Sequence, residues 1–293
     1  MPSKICVVTG ASSGIGKEIA RGLALMGSTV VLPCRDAARA EAAREELATT
    51  TRNPNVWPMA LDLARIASID AFVDELRRRF GRLDLLVNNA AAIWRKRKLT
   101  ESGVEATFAV NHLGPFALTL GLLELLEASA PSRIVMVSSK LHVGGRLDLD
   151  DLRYDKRRYS GFAAYNASKL ANVIFTRTLA RRLGRGEVRV NAVHPGEAAT
   201  ASARDYGRLM RLLMRLLYRS PKLAAATPLY VATSPDAEAD VSGRFFRDSR
   251  LAPHSPLADD VALQDRLWSV SEELTRAARA AARDASDGDR RVA

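Results

Sequence analysis

Thr9-Gly10-Ala11-Ser12-Ser13-Gly14-Ile15-Gly16 is the stretch on which the fold of this chain turns. It follows Ile5–Thr9, a short apolar run that reads as a buried strand. It leads into Ile15–Met26, whose apolar spacing reads as a helix. Glycines at a strand–turn–helix junction permit a tight turn and let the backbone approach a pyrophosphate. The helix start adds free N–H groups and the positive end of a dipole. Glycines alone also fit a plain turn; the junction is what favours a nucleotide.

Working outward, the pattern repeats. Strand candidates are Thr29–Cys34, Val56–Leu61, Leu83–Asn88, Arg133–Ser138 and Arg189–His194, and helical patterns cover Ala38–Ala48, Ile66–Phe80, Val104–Ala128 and Ala163–Leu183. Near-continuous Val, Ile and Leu suit strands covered on both faces, and the alternation predicts an α/β fold with a doubly wound parallel sheet, the Rossmann fold. After Gly196 the texture changes. Arg208–Tyr218 is a basic amphipathic helix, Ser242–Phe246 a last short strand, and Val261–Thr275 a helix. Residues 1–275 are expected to form one domain with a variable, substrate-covering segment at about 197–220. From Ala277 an Ala- and Arg-rich tail is expected to fray.

Composition narrows the class. A chain of 293 residues with 47% apolar content can bury one large core. No run of about 18 apolar residues is present, so no transmembrane helix is expected, and Lys4–Thr9 is too short an apolar run for a signal peptide. Cys6 and Cys34 read as free thiols of a reducing, cytoplasmic protein, with no metal site. The net charge of +11 comes from Arg scattered on helical faces, which speaks for a solvated surface and against a nucleic-acid partner.

The spacing Gly-x-x-x-Gly-x-Gly, carried by Gly10, Gly14 and Gly16 with Ile15 and flanked by Ser12 and Ser13, resembles the glycine motif of the short-chain dehydrogenase/reductase family. A carboxylate at the end of the second strand would bind a ribose 2′-hydroxyl and repel a 2′-phosphate. This chain has Cys34 and then Arg35, which suits a 2′-phosphate and favours NADP(H) over NAD(H). Arg35 also fits a surface residue opening a loop, and Asp36 behind it keeps some ambiguity. The resemblance implies that Asp62 and Leu63 contact the adenine, although Asp62 equally suits a turn. Asn89, Ala90 and Ala91 match the family's Asn-Asn-Ala-Gly pattern except that Ala91 replaces glycine.

Tyr165-Asn166-Ala167-Ser168-Lys169 places a phenol and an ammonium on one helical face. A free phenol titrates near about 10, and a neighbouring ammonium with a positive nicotinamide is expected to lower that value. Such a pair alone is common on surfaces. It also matches the family's Tyr-x-x-x-Lys motif. The resemblance then implies that Tyr165 is the general acid/base and that Lys169 lowers its pKa and binds the nicotinamide ribose. It implies that Ser139 holds the substrate oxygen and that Asn111 orders a water beside the lysine. Pro195 and Gly196 would flank the nicotinamide, and Thr200 would bond its carboxamide. His112 reads as structural. Leu141–Phe162 is a candidate flap, and Glu197 is unusual where the family is apolar.

The resemblance spans roughly residues 4–275. It looks closest to the retinol dehydrogenase-like and protochlorophyllide reductase-like branch, through Cys34-Arg35-Asp36, Val110–Phe116, Ser168–Asn172 and Leu267–Ser271. Retinol itself is not carried over, because the N-terminal anchor common in that branch is not recognisable here. The expected function is an NADP(H)-dependent carbonyl reductase or alcohol dehydrogenase acting on a bulky hydrophobic ketone, aldehyde or alcohol. Reduction of a carbon–carbon double bond, non-redox chemistry, or NADP(H) sensing without turnover are the alternatives. The Leu and Met face of Arg208–Tyr218 would line the substrate pocket; core packing, dimer packing or peripheral membrane contact also fit it. A monomer and a homodimer or homotetramer are equally open.

Overall fold

Ile5 and Val7 face one hydrophobic core, and Cys6 and Val8 face another. The same alternation recurs at Leu86 against Leu85 and Val87, and at Ile134 and Met136 against Val135 and Val137. Successive strand side chains point to opposite faces, so a strand with apolar residues throughout needs helices on both sides. That requirement produces the three-layer architecture. The structure is a computed structural model describing residues 3–196, 220–236 and 241–292.

The strands are β1 (Ile5–Val8), β2 (Thr29–Cys34), β3 (Val56–Ala60), β4 (Leu85–Asn88), β5 (Ser132–Val137), β6 (Val188–His194), β7 (Phe245–Arg247) and β8 (Arg250–Leu251). Among the described residues they form one sheet in the order β3-β2-β1-β4-β5-β6-β7-β8. All pairings are parallel except β7 with β8, a short antiparallel edge that the sequence pattern did not reveal. The chain's direction of travel across the sheet reverses between β1 and β4. Their carboxyl ends therefore splay apart, and ligands of such folds bind in that crevice.

On one face α1 (Gly14–Leu25) and α2 (Ala37–Thr51) bury Ile15, Ile19, Leu23 and Leu47. On the other, α3 (Ile66–Phe80) buries Ile69 and Phe72. The long helix expected over Val104–Ala128 is broken instead into α4 (Ala106–Phe108), a π-helical turn (Ala109–Leu113), α5 (Gly114–Gly121) and α6 (Leu123–Ala128). Proline supplies the reason. Pro115 has no N–H to give to the carbonyl of Asn111, four residues back. The Gly114 N–H reaches back to the Ala109 carbonyl, and the Asn111 carbonyl accepts from Asn172 Nδ2 at 2.9 Å. Glu105 fixes the start by accepting from the Thr107 and Phe108 amides, both at 2.9 Å.

Asn172 belongs to α7 (Gly161–Leu183), which packs beside β5 and β6. Next come α8 (Pro221–Ala224), α9 (Ala226–Thr233) and α10 (Val261–Val292). The stretch expected to fray after Ala277 continues instead as α10. Alanine and arginine are strong helix formers, and Arg279 is bidentate to Asp70 of α3, with Nη2–Oδ1 at 2.8 Å and Nε–Oδ2 at 2.9 Å.

Gly114 sits where α5 touches the segment after β3. A Cβ there would lie 2.4 Å from the Leu63 carbonyl oxygen, which is backbone and has little freedom to move. Gly114→Ala is therefore expected to destabilise the protein by about 1–3 kcal/mol through overpacking. For a chain of this size that is a fall in Tm of roughly 2–10 °C. A melting curve matching wild type would show that the approach is not tight.

Candidate active site

The carboxyl ends of β1, β4, β5 and β6 open on a cleft of about 770 Å³. Every described site residue named from the sequence lines it except Asn111. Thr200, Glu197 and the helix expected at Arg208–Tyr218 lie outside the described residues.

The glycine turn is tied to the strand beyond the crevice. Gly10 and Gly14 take φ of 70° and 61°, where an L side chain is strained. Gly16 is required by crowding: a Cβ there would meet Asn89 Nδ2 at 2.4 Å and the Gly10 carbonyl oxygen at 2.6 Å. Asn89 Nδ2 donates to the Thr9 carbonyl at 2.8 Å, and Thr9 Oγ1 accepts from the Asn89 and Ala90 amides at 2.9 and 3.0 Å. Thr9, to which the motif by itself gives no role, is the clamp that joins β1 to β4. Ser13 starts α1 with no side-chain cap, and Gly14, Ile15 and Gly16 line the cleft, so the helix start faces it. These features suit a pyrophosphate, for which backbone N–H groups need close approach.

At the end of β2, Asp36 uses Oδ1 to cap α2 through the Arg39 amide at 3.1 Å. Its carboxylate thus has a helix-capping role, and Asp36 lines the cleft as well. Arg39, one helical turn further on, also lines the cleft. Asp62 accepts from the Ala64 amide at 3.0 Å, so it makes the turn and lines the cleft as well.

Ser139, Tyr165 and Lys169 converge at the far end. Ser139 Oγ accepts from the Leu141 amide at 3.2 Å, which leaves its proton to point elsewhere, and it is hydrogen-bonded to Tyr165. Lys169 is 1% exposed; its Nζ donates to the Val137 carbonyl at 2.9 Å and lies 5.5 Å from the centre of the Tyr165 ring. Burial holds the ammonium down at about 8. Tyr165 lines the cleft beside it. Burial pushes its phenol up to about 12, and the bond with Ser139 offsets only part of that. Desolvation is the larger of the two causes.

Asn111 stands behind the cleft. Its side chain accepts from the Ala92 amide at 2.7 Å and donates to the Ala92 carbonyl and to Ser168 Oγ, each at 3.0 Å. It therefore joins the loop after β4 to α7. His112 is buried between Asn172 and Ser271, at 3.2 and 3.1 Å, and burial pushes it down to about 4, which fits the structural role read for it. The Leu141–Phe162 segment places both of its ends in the cleft wall, beside Ile93 and Trp94. Tyr159 holds it there, donating to the Trp94 carbonyl at 2.9 Å and to Glu105 at 3.0 Å. Among the described residues no helix is long and apolar enough to cross a membrane.

Comparison with known proteins agrees with this geometry. Residues 4–209 match the family described as short chain dehydrogenase. Retinol dehydrogenase 13 of Homo sapiens is 42% identical over 282 residues, covering 94% of this chain and 85% of that protein. Retinol dehydrogenase 12 of Mus musculus is 42% identical over 277 residues, covering 94% and 87%. Among solved structures, an uncharacterized protein of Mycobacterium Paratuberculosis superposes with a TM-score of 0.77 at 34% identity, covering 94% of this chain and 96% of its own. The Pseudomonas aeruginosa RhlG/NADP active-site complex gives 0.67 at 26%, covering 84% and 94%.

The buried Lys169 has a measurable consequence. Its ammonium titrates near 8 in the folded chain and near 10.5 in the unfolded one. Between those values the unfolded chain binds the extra proton, so stability rises with pH across that window. Relative to Lys169→Met, which cannot titrate there, the wild type is expected to gain on the order of 3 kcal/mol between pH 8 and 10.5. Urea unfolding of both proteins across that range reads it. A constant difference would mean the ammonium is not desolvated.

Proposed function

The chain belongs to the short-chain dehydrogenase family, and on that premise we propose that it is an NADP(H)-dependent oxidoreductase reducing the carbonyl of a bulky hydrophobic ketone or aldehyde. The meeting of Ser139, Tyr165 and Lys169 at one end of a cleft whose other end is the glycine turn carries this reading. When bound, the reduced nicotinamide supplies the hydride that goes to the carbonyl carbon as the carbon–oxygen π bond breaks. Tyr165 gives its proton to the oxygen, and Ser139 donates a hydrogen bond to the same atom. A phenol pushed up to about 12 by burial is in the protonated form that this step needs. Lys169, held at about 8, can return a proton to Tyr165 between turnovers. Asn111 fixes the loop and helix around that pair, and the water-ordering role implied by resemblance belongs to the same proposal.

The cofactor's 2′-phosphate would sit between Arg35 and Arg39, both at the cleft and at the mouth of β2. The similar Pseudomonas aeruginosa structure is an NADP complex, which supports the same choice for this chain. For the substrate, Ile93, Trp94, Leu141 and Phe162 offer an apolar wall, and Phe162 is 55% exposed. The relatives' name, retinol dehydrogenase, agrees with an extended hydrophobic substrate.

Following NADPH consumption against a panel of ketones and aldehydes tests the reading. Tyr165→Phe is expected to lower kcat by about 10²–10⁴-fold; an equal rate would mean that another group delivers the proton. The double change Arg35→Ala with Arg39→Ala is expected to reduce the preference for NADPH over NADH by roughly 10- to 100-fold, the worth of hydrogen bonds to a charged group. An unchanged preference would remove the phosphate assignment.

A further inference from the structure

His142 takes no part in the chemistry above, yet it is wholly buried three residues after Ser139. Its ring has a partner on each nitrogen. Nδ1 lies 2.6 Å from the Ser139 carbonyl oxygen, which can only accept. Nε2 lies 3.1 Å from the backbone nitrogen of Ser255, which can only donate. The two contacts together allow one form, a neutral ring with its proton on Nδ1. Burial keeps it in that form by holding the ring below its ordinary pKa. The His142 amide donates to the same Ser139 carbonyl at 3.1 Å, and the ring packs on Phe245 at 4.5 Å between centroids.

We propose that His142 is a positioning residue for Ser139, and that through it the chain end after β8 sets the aim of the catalytic hydroxyl. The proposal rests on the reading of Ser139 given above. Ser139 immediately precedes a 3-10 turn (Lys140–Gly144), extended in its own backbone and capping that turn with Oγ. Two donors from His142 on its carbonyl fix the peptide plane that follows, and the Leu141 amide fixes Oγ. With both ends held, the hydroxyl proton has the Tyr165 side left to it. The anchor is remote in sequence. Ser255 is buried, precedes a second 3-10 turn (Pro256–Asp259), and lies beyond the residues that match the family. Gln264 of α10 secures that turn by donating to the Ala258 carbonyl at 2.8 Å. The carboxyl-terminal quarter of the chain thus reaches the active site by one imidazole.

Three variants of the full chain test this. His142→Leu keeps the volume and removes both bonds. It is expected to lower kcat about 10- to 100-fold, the scale of a small misplacement at the reacting atoms, while the NADPH Kd stays within about twofold. His142→Asn restores an N–H at the place of Nδ1–H and is expected to recover most of the loss. Ser255→Pro removes the donor to Nε2 and sets a ring carbon in its place, which pushes the imidazole off that contact. Its φ of −59° already suits proline, so it serves if His142→Leu does not fold, and its kcat is expected to fall in the same direction. Nitrogen NMR of the wild-type ring is expected to show the proton on Nδ1. Wild-type kcat in a folded His142→Leu or Ser255→Pro overturns the proposal, and so does a proton found on Nε2. A wild type inert toward every carbonyl would defeat the proposed function instead. The variants would then be judged by NMR titration of Tyr165, whose midpoint rises if Ser139 has lost its aim and stays in place if His142 does not position it.

Discussion

The bond from Lys169 Nζ to the Val137 carbonyl is the contact on which the rest of the site depends. It joins the middle of α7 to the last residue of β5. The next residues after β5 are Ser138 and Ser139, and one turn back on α7 is Tyr165. Ser138 strengthens the same seam by donating to the Lys169 carbonyl at 2.8 Å. A buried ammonium is costly and persists only where a good acceptor meets it. Here the acceptor is the carbonyl that ends the strand, so meeting that demand also fixes the register between helix and strand. Tyr165 and Ser139 are brought together as a consequence.

A second constraint acts from behind. Pro115 leaves the Asn111 carbonyl without its helical partner, and the π-helical turn that results turns Asn111 towards α7. Asn172 takes the carbonyl, and Ser168 takes the side-chain amide. Both lie on the helix that carries Tyr165 and Lys169. Irregular helical turns often mark functional sites because they re-aim a side chain at modest cost. The helix end, the strand end and the loop after β4 are in this way held by polar bonds and not by apolar packing alone.

Much of this was legible in the residues. The alternation of apolar runs and amphipathic stretches located the first six strands to within a residue or three at each end, because a two-sided core demands that pattern. The glycine spacing and the Tyr-x-x-x-Lys spacing located both ends of the cleft. The break in Val104–Ala128 was also written in the sequence, at Pro115, but the apolar pattern runs across it and conceals it. The tail after Ala277 was misread for the opposite reason. Its composition suits a helix as well as a frayed end, and only the pairing of Arg279 with Asp70 decides between them. His142 carries no spacing rule of its own, since it acts through a partner far away in the chain.

The sequence by itself determined the layered fold, the place of the glycine turn and the shared helical face of Tyr165 and Lys169, because these depend on local spacing and on periodicities that a single chain displays. Tertiary structure decided the protonation states and the supports. Burial, which is a property of everything packed around a group, pushes Tyr165 up to about 12 and brings Lys169 down to about 8. It also brought Ser255 to His142 and Asn172 to Asn111, contacts between residues more than sixty positions apart that no local pattern encodes.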